Sequence, residues 1–162
     1  MAPRILVAGI GNIFLSDDGF GPEVLRQVSA RLAGSEQVRA VDYGIGGLHL
    51  AYDLLDDWDA LVLVDAVPDR GSPGTVRIFE ADHESLGATA ALDAHGMDPA
   101  TVFASLRALG GAPPRTIVVG CEVADVGDGI GLSDPVRAAV PDAVTAVESA
   151  VAMLQAEPVG KV

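Results

Sequence analysis

Three acidic residues and one histidine stand where metal binding or acid–base chemistry would be expected. Asp18 follows the first apolar segment of the chain, Asp42 follows the second, and Asp65 ends the third. In an open α/β sheet the carboxyl ends of the strands meet at one edge, where ligands bind, so these carboxylates are expected to share that edge. His95 stands shortly before a predicted helix and is expected to reach the same edge. Carboxylates and an imidazole are suitable ligands for a divalent ion such as nickel, zinc or manganese.

Each candidate also has a purely structural explanation. Asp65 ends an apolar run, where an unpaired acid costs free energy, so a hydrogen-bonded strand terminus and a functional residue are equally good interpretations from the residues alone. For Asp17 or Asp18 the alternative is a helix cap, and we expect it to hold for one of the two. For His95 the alternative is a solvent-exposed loop histidine.

Other kinds of site are disfavoured by the sequence. Cys121 ends a predicted buried strand with no histidine near it in the sequence, which favours a packed small side chain over a nucleophile. No Gly-x-Ser-x-Gly elbow is present. The segment Gly9–Asn12 is superficially similar to a dinucleotide-binding turn, but the third glycine is missing and the pair Asp17-Asp18 would face the pyrophosphate. We expect His49 to serve packing or the surface, and His83 to be solvated.

The elements that must position the candidates alternate between buried strands and amphipathic helices. Three such alternations in succession predict a parallel sheet with helices on both faces. A further strand follows a Pro/Gly-rich linker too short for a helical crossover, so it is expected to be antiparallel, at an edge. In chain order the prediction is strand Arg4–Gly9, helix Pro22–Leu32, strand Val38–Tyr43, helix Leu48–Leu55, strand Ala60–Ala66 and antiparallel strand Thr75–Glu80.

The rest of the chain completes a single domain. Residues 82–97 have no clear period and are predicted to form a long loop. Asp98-Pro99 is expected to open a helix that runs to Leu109, and Thr116–Cys121 forms the last strand. Asp134-Pro135 is expected to cap a C-terminal helix to about Gln155, with Pro141 as the place where a break would fall.

The predicted fold is a three-layer α/β/α sandwich around a mostly parallel five-stranded sheet with one antiparallel edge strand, of the phosphorylase/hydrolase-like kind. With 162 residues, 49% of them hydrophobic, the chain is long enough for one core and too short for two ordinary domains. We place this domain at residues 1–156 and expect 157–162 to form a flexible tail.

Composition and charge narrow the setting in which the protein works. A single cysteine permits no internal disulfide, and no stretch approaches the roughly 20 apolar residues of a membrane span. The acidic pair Asp17-Asp18 argues against reading the apolar N-terminus as a signal peptide. A formal charge of −13 disfavours nucleic acid and anionic membranes as partners. We therefore expect a cytoplasmic protein, and a monomer.

The opening segment has a specific counterpart in a known family. ILVAGIGNIFLSDDGFG, from Ile5 to Gly21, resembles the N-terminal signature of hydrogenase maturation proteases: apolar strand, Gly-x-Gly-Asn, apolar pair, acidic pair, then Gly. That family often has Glu where Asp18 stands, and many members read Asp-Gly-Gly-Thr where this chain has Asp42-Tyr-Gly-Ile-Gly-Gly47. The resemblance continues through Asp42, Leu63–Ala66, His95, Val119-Gly120 and Gly131–Ser133.

The resemblance implies a nickel-recognising, aspartic-type endopeptidase. Its expected substrate is the nickel-loaded precursor of a nickel–iron hydrogenase large subunit, from which it removes the C-terminal extension. By this resemblance Asp18, Asp65 and His95 bind a divalent metal. Nickel is expected to arrive with the substrate, and zinc or cadmium to occupy the site in vitro. The catalytic candidates are Asp18 and Asp42: either as general base, with the metal as Lewis acid, is chemically reasonable.

Two other functions remain open at this point. A nickel-sensing chaperone or docking module for hydrogenase assembly would need the same ligands without cutting the precursor. A nucleotide-binding regulator would be stabilised against heat by NAD or ATP, which we do not expect here.

Overall fold

The computed structural model describes residues 2–83 and 98–157, so His95 and most of the predicted loop at 82–97 lie outside the described residues. The described strands are β1 (Ile5–Ile10), β2 (Val38–Gly44), β3 (Ala60–Val67), β4 (Val76–Glu80) and β5 (Arg115–Glu122). The described helices are α1 (Phe20–Leu32), α2 (Gly47–Asp53), α3 (Pro99–Ala108) and α4 (Asp134–Gln155), with a 3-10 turn at Ser16–Gly19 before α1.

The described strands form one sheet in the order β2-β1-β3-β5-β4. Strands β1, β2, β3 and β5 are parallel, and β4 is antiparallel to β5 at the edge, which confirms the predicted arrangement. The chain passes from β1 outward to β2 and then crosses back to β3 on the other side of β1. The strand order therefore reverses between β1 and β3, and ligands bind open α/β sheets at such a reversal.

Helices cover the sheet on both faces, because alternate side chains of the buried strands face opposite ways. In β3, Val62 and Val64 belong to the core beneath α1 and α4, whereas Leu61 and Leu63 belong to the core beneath α2 and α3. All six residues of β1 are likewise buried. This explains the continuous apolar runs in the sequence and confirms the three-layer sandwich.

The C-terminal helix differs from its prediction in two details. Helix α4 begins at Asp134 with Ser133 as its N-cap residue, and it continues unbroken through Pro141. A proline inside a helix removes one backbone hydrogen bond and strains the preceding turn. Here Val140 and Ala143, on either side of Pro141, are buried in the core, and this packing holds the helix together across the proline.

The prediction of a solvated His83 is wrong. Its Nε2 lies 3.0 Å from the carbonyl oxygen of Pro114, and its ring meets the ring of Phe103 edge-on at 4.5 Å between centroids. The acidic residues around His83 suggested exposure, but a contact with a residue 31 positions away is not visible in local composition.

The ends of the described chain add two facts. Glu157, the first residue of the predicted tail, pairs with Arg115, and residues 158–162 lie outside the described part of the chain. Across residues 2–83 and 98–157, no helix has the length and apolar character needed to cross a membrane.

Candidate functional site

Close backbone packing explains two glycines of the first motif. A side chain at Gly21 would place its Cβ 2.4 Å from the carbonyl oxygen of Ile10 and 2.6 Å from that of Val64, so α1 begins directly against the ends of β1 and β3. Gly11 has a φ of +146°, and a Cβ there would lie 1.9 Å from the carbonyl oxygen of Asp18. These glycines therefore allow the helix and the strand ends to pack closely. This packing requirement explains why the segment is similar to a dinucleotide-binding turn.

The same packing holds Asp18 at the carboxyl edge of the sheet. Asp18 is half-buried in the 3-10 turn Ser16–Gly19, immediately after β1. Its Oδ2 accepts a hydrogen bond of 2.7 Å from the backbone N–H of Asn12. The side chain of Asn12 in turn accepts from the N–H of Phe14, so the loop is closed by its own polar groups and the Asp18 carboxylate is fixed in direction.

The neighbouring Asp17 has a different role, and the helix-cap prediction is wrong for both residues. No described helix is capped by the side chain of Asp17 or Asp18. Asp17 is fully buried and accepts hydrogen bonds from the backbone N–H groups of Ala124, Asp125 and Ser133 and from the Ser133 hydroxyl, at 2.7–3.0 Å. Burial opposes ionisation, but the hydrogen bonds outweigh it and hold the pKa of Asp17 below its usual value. Asp17 thus fixes the loop between β5 and α4.

Asp65 is a nearly buried carboxylate at the end of β3, only 8% exposed. Burial raises its pKa well above the usual value, and the nearby carboxylates of Asp18 and Asp98 raise it further. The backbone N–H of Ala66 acts in the opposite direction but does not offset them. A buried acid beside like charges is stabilised by taking up a proton or by binding a cation.

Asp98 is a site residue whose position the sequence did not reveal. Its Oδ1 accepts a hydrogen bond of 3.0 Å from the backbone N–H of Ala100, so it is the N-cap of α3 as predicted. The charge of the same carboxylate raises the pKa of Asp65. Its place three residues after His95, at the start of a helix, is the signal that would have marked it.

Asp42 lies at the same edge of the sheet but in a different setting. It is exposed near the end of β2, opposite Gly9 in the register with β1, and its Oδ1 accepts from the backbone N–H of Gly44 at 2.9 Å. Because β1 separates β2 from β3, Asp42 and Asp65 stand on strands roughly 10 Å apart.

The predicted metal ligands are only partly described. Asp18 and Asp65 both lie at the carboxyl edge of the sheet, where the charge of Asp18 raises the pKa of Asp65, whereas His95 lies outside the described residues. Within the described ranges, no three side chains of His, Cys, Asp or Glu gather closely enough to hold an ion. The chemistry of the two carboxylates suits a divalent cation that has further ligands from elsewhere.

Glu122 is a buried acid that the sequence reasoning missed, since it lies one residue beyond the predicted end of β5. Its carboxylate accepts hydrogen bonds from the backbone N–H groups of Arg70 and Ser72 and from the guanidinium of Arg77. The Arg70 N–H foremost, with Arg77 and Ser72, lowers the pKa of Glu122 although burial opposes this. Glu122 therefore ties the loop between β3 and β4 to the end of β5.

Two residues predicted to lack a catalytic role are confirmed as packing or surface residues. Cys121 is completely buried, and desolvation, followed by Asp17 and Glu122, raises the pKa of its thiol to about 11. Such a thiol is a poor nucleophile near neutral pH. His49 is largely exposed, with its ring against Tyr43 and its Nε2 3.6 Å from an Asp53 oxygen.

An α/β/α sandwich with carboxylates at the point where its strand order reverses defines the class: an open α/β protein with an acidic site at the place where such sheets bind ligands. The family model for hydrogenase maturation proteases matches residues 22–150 of the chain. The chain belongs to the hydrogenase maturation protease family.

Individual relatives agree with this assignment. The hydrogenase expression/formation protein HupD of Rhizobium leguminosarum bv. viciae is 33% identical over 156 residues, which are 95% of this chain and 75% of the relative. The hydrogenase 2 maturation protease of Escherichia coli is 30% identical over 148 residues, covering 91% of this chain and 90% of the relative. The structure of the hydrogenase maturating endopeptidase HybD from E. coli aligns with a TM-score of 0.77 at 28% identity, covering 93% of each chain.

Proposed function

We propose that this protein is an endopeptidase that removes the C-terminal extension from the nickel-loaded precursor of a nickel–iron hydrogenase large subunit. Membership of the family supports a proteolytic role. The observation that carries the proposal is the buried Asp65 carboxyl at the reversal of the sheet, near enough to Asp18 for the charge of Asp18 to raise the pKa of Asp65. Such a pair is costly for the protein alone and favourable when a cation is presented to it.

In this proposal the nickel belongs to the substrate. Asp18, Asp65 and His95 contact the ion seated in the precursor, and the ligands of the precursor complete its coordination. Two carboxylates and one imidazole leave coordination positions open and lack the thiolates that favour a closed, permanent site. Zinc or cadmium would occupy the same ligands in vitro.

We assign proton removal from the attacking water to Asp42. A carboxylate bound to a cation is a poor base because the cation stabilises its ionised form, which disfavours Asp18 in that role. Asp42 is exposed, so water reaches it, and its hydrogen bond from the Gly44 N–H fixes its direction. This assignment makes the protein an aspartic-type endopeptidase whose activity depends on a metal carried by its substrate.

The proposed setting follows from the same reasoning. The proposed cleavage acts on the large-subunit precursor while the hydrogenase is still being assembled. We propose that both this assembly and the cleavage take place in the cytoplasm. We further propose that it acts as a monomer, since one copy carries all the proposed ligands.

A gel assay of the nickel-loaded precursor tests the proposal. Loss of a short C-terminal fragment on addition of the protein is the expected result. A nickel-sensing chaperone would bind the precursor and leave its length unchanged, and that result would refute the protease. An Asp42→Asn variant is expected to bind the precursor normally while its kcat falls, because only the base is removed.

A further inference from the structure

Large apolar side chains stand exposed around the carboxylates at the carboxyl edge of the sheet. Phe14 is 61% exposed in the loop after β1, and Ile130 is 78% exposed in the loop after β5. Single exposed apolar residues are normal, but a group of them beside a functional site marks an interaction surface. We call this group the apolar rim; its members are Ile13, Phe14, Ile45, Leu48, Val126 and Ile130.

Main-chain hydrogen bonds join the loops that carry the apolar rim. The N–H of Gly11 donates to the carbonyl oxygen of Gly44, which links the loop after β1 to the loop after β2. The N–H of Gly129 donates to the carbonyl oxygen of Phe14, and the N–H of Ser16 donates to that of Gly129, each at 2.9 Å. The rim therefore crosses three connected loops and includes Leu48 in the first turn of α2.

The part of the rim in the loop after β5 is also fixed by hydrogen bonds with the 3-10 turn before α1. The buried Asp17 binds the backbone of the loop between β5 and α4, and the Ser16 hydroxyl donates to the carbonyl oxygen of Gly127. A surface fixed in this way loses little conformational freedom on binding, which favours affinity. The same turn carries Asp18, so the rim and the carboxylates are positioned by one structure.

We infer that the apolar rim binds the C-terminal extension of the precursor as a segment with apolar side chains next to basic ones. This inference rests on the proposed function, because the cleaved bond must then lie at Asp18 and Asp65, and the extension leaves that point across the surrounding loops. The expectation of basic residues comes from charge: Asp125 and Asp128 are exposed on the loop after β5 and Asp42 is exposed near the end of β2, in a protein of net charge −13. Complementary charge favours encounter and register.

The double variant Phe14→Ser/Ile130→Ser tests the inference, with Met153→Ser as its control. Met153 is 44% exposed near the end of α4, at the opposite end of the molecule, so its loss removes similar surface away from the rim. Thermal unfolding verifies that all variants are folded. We expect the double variant to raise KM for the precursor about tenfold or more, with kcat changed by less than about twofold, and the control to match the wild type.

Binding of a fluorescent synthetic peptide of the extension gives a second measurement. It is expected to weaken to the same degree in the double variant and to weaken with added salt. Unchanged KM and unchanged peptide affinity would overturn the inference while leaving the protease intact. Should the wild type fail to cleave the precursor, the proposed function falls, and the peptide measurement still decides whether the rim binds the extension.

Two other occupants of the rim would also overturn the inference. If a precursor without its extension binds as tightly as the full precursor and is equally sensitive to the double variant, the rim contacts the body of the subunit. If sedimentation shows a wild-type dimer that the double variant dissolves, with precursor affinity unchanged, the rim joins two copies of this chain.

Discussion

At Asp65 the protein keeps a carboxylate where its surroundings oppose ionisation. Desolvation comes first, and the like charges of Asp18 and Asp98 add to it. A carboxyl pKa raised above the unfolded value of 3.8 means that the fold loses stability as the pH rises from that value through the folded pKa. A residue kept at a cost to stability is typical of a functional site.

Replacing Asp65 separates stability from activity. Asp65→Asn keeps the shape of the side chain and removes its charge, so we expect a melting temperature at pH 7 equal to or above that of the wild type. Cleavage of the nickel-loaded precursor is expected to fall by more than about 100-fold, the upper range for residues that only orient a metal ligand. Calorimetry and the gel assay measure the two effects. A less stable but active variant would mean that Asp65 is a structural strand terminus.

The elements of the fold follow closely from the sequence, whereas parts of the site do not. Local sequence was sufficient to predict β1 and β3, because each is a continuous apolar run. It was also sufficient to predict the antiparallel β4, because the Pro/Gly-rich linker before it is short. The contacts of Asp17 join residues 107–116 positions apart, and the effect of Asp98 on Asp65 likewise depends on the finished fold. Residue type and spacing located Asp18 and Asp65, but only the packing of α1 explains why they lie at the same edge of the sheet.

That packing predicts a specific effect of one methyl group. Gly21→Ala places a Cβ against the carbonyl oxygens of Ile10 and Val64, which are backbone atoms and cannot move aside cheaply. We expect a loss of about 1–3 kcal/mol in the free energy of unfolding, together with reduced cleavage because the turn that carries Asp18 is displaced. Chemical denaturation provides the measurement.

Gly34→Ala is the matched control for this variant. A Cβ at Gly34 meets nothing within 4 Å, so both stability and cleavage are expected to stay near the wild-type values. If Gly21→Ala behaved like Gly34→Ala, the close approach of α1 to the strand ends would not be required for the site.

Glu122 gives the β3–β4 connection a stability that depends on pH. Its folded pKa lies below the usual 4.5, so the stabilisation is fully present above pH 4.5 and is lost as the pH falls through the lowered folded pKa. We expect Glu122→Gln to be less stable than the wild type at pH 7, with the difference shrinking as acid is added below about pH 4.5. Urea denaturation across this range measures it.

Glu80→Gln controls for the general effect of removing a carboxylate. Glu80 pairs with Arg115 at the surface, where ion pairs contribute little. Its removal is expected to cause a small change with little dependence on pH. An equal pH dependence in both variants would contradict the role given to Glu122.

For the whole molecule, recognition combines two surfaces on one edge of the sheet. Under the proposed function, the carboxylates contact an ion that the precursor supplies, and the apolar rim around them binds the chain that carries this ion. The net charge of −13 favours a basic partner. In this proposal, the two surfaces together restrict a small domain to one precursor, and to that precursor only after its metal has been inserted.

The most direct test of this account compares nickel-loaded and nickel-free precursors as substrates for the metal-free enzyme. If Asp18, Asp65 and His95 recognise nickel seated in the precursor, only the nickel-loaded form is cleaved. A chelator that is too weak to remove nickel from the precursor is then expected to leave this cleavage unchanged. Equal cleavage of the two forms would contradict the account.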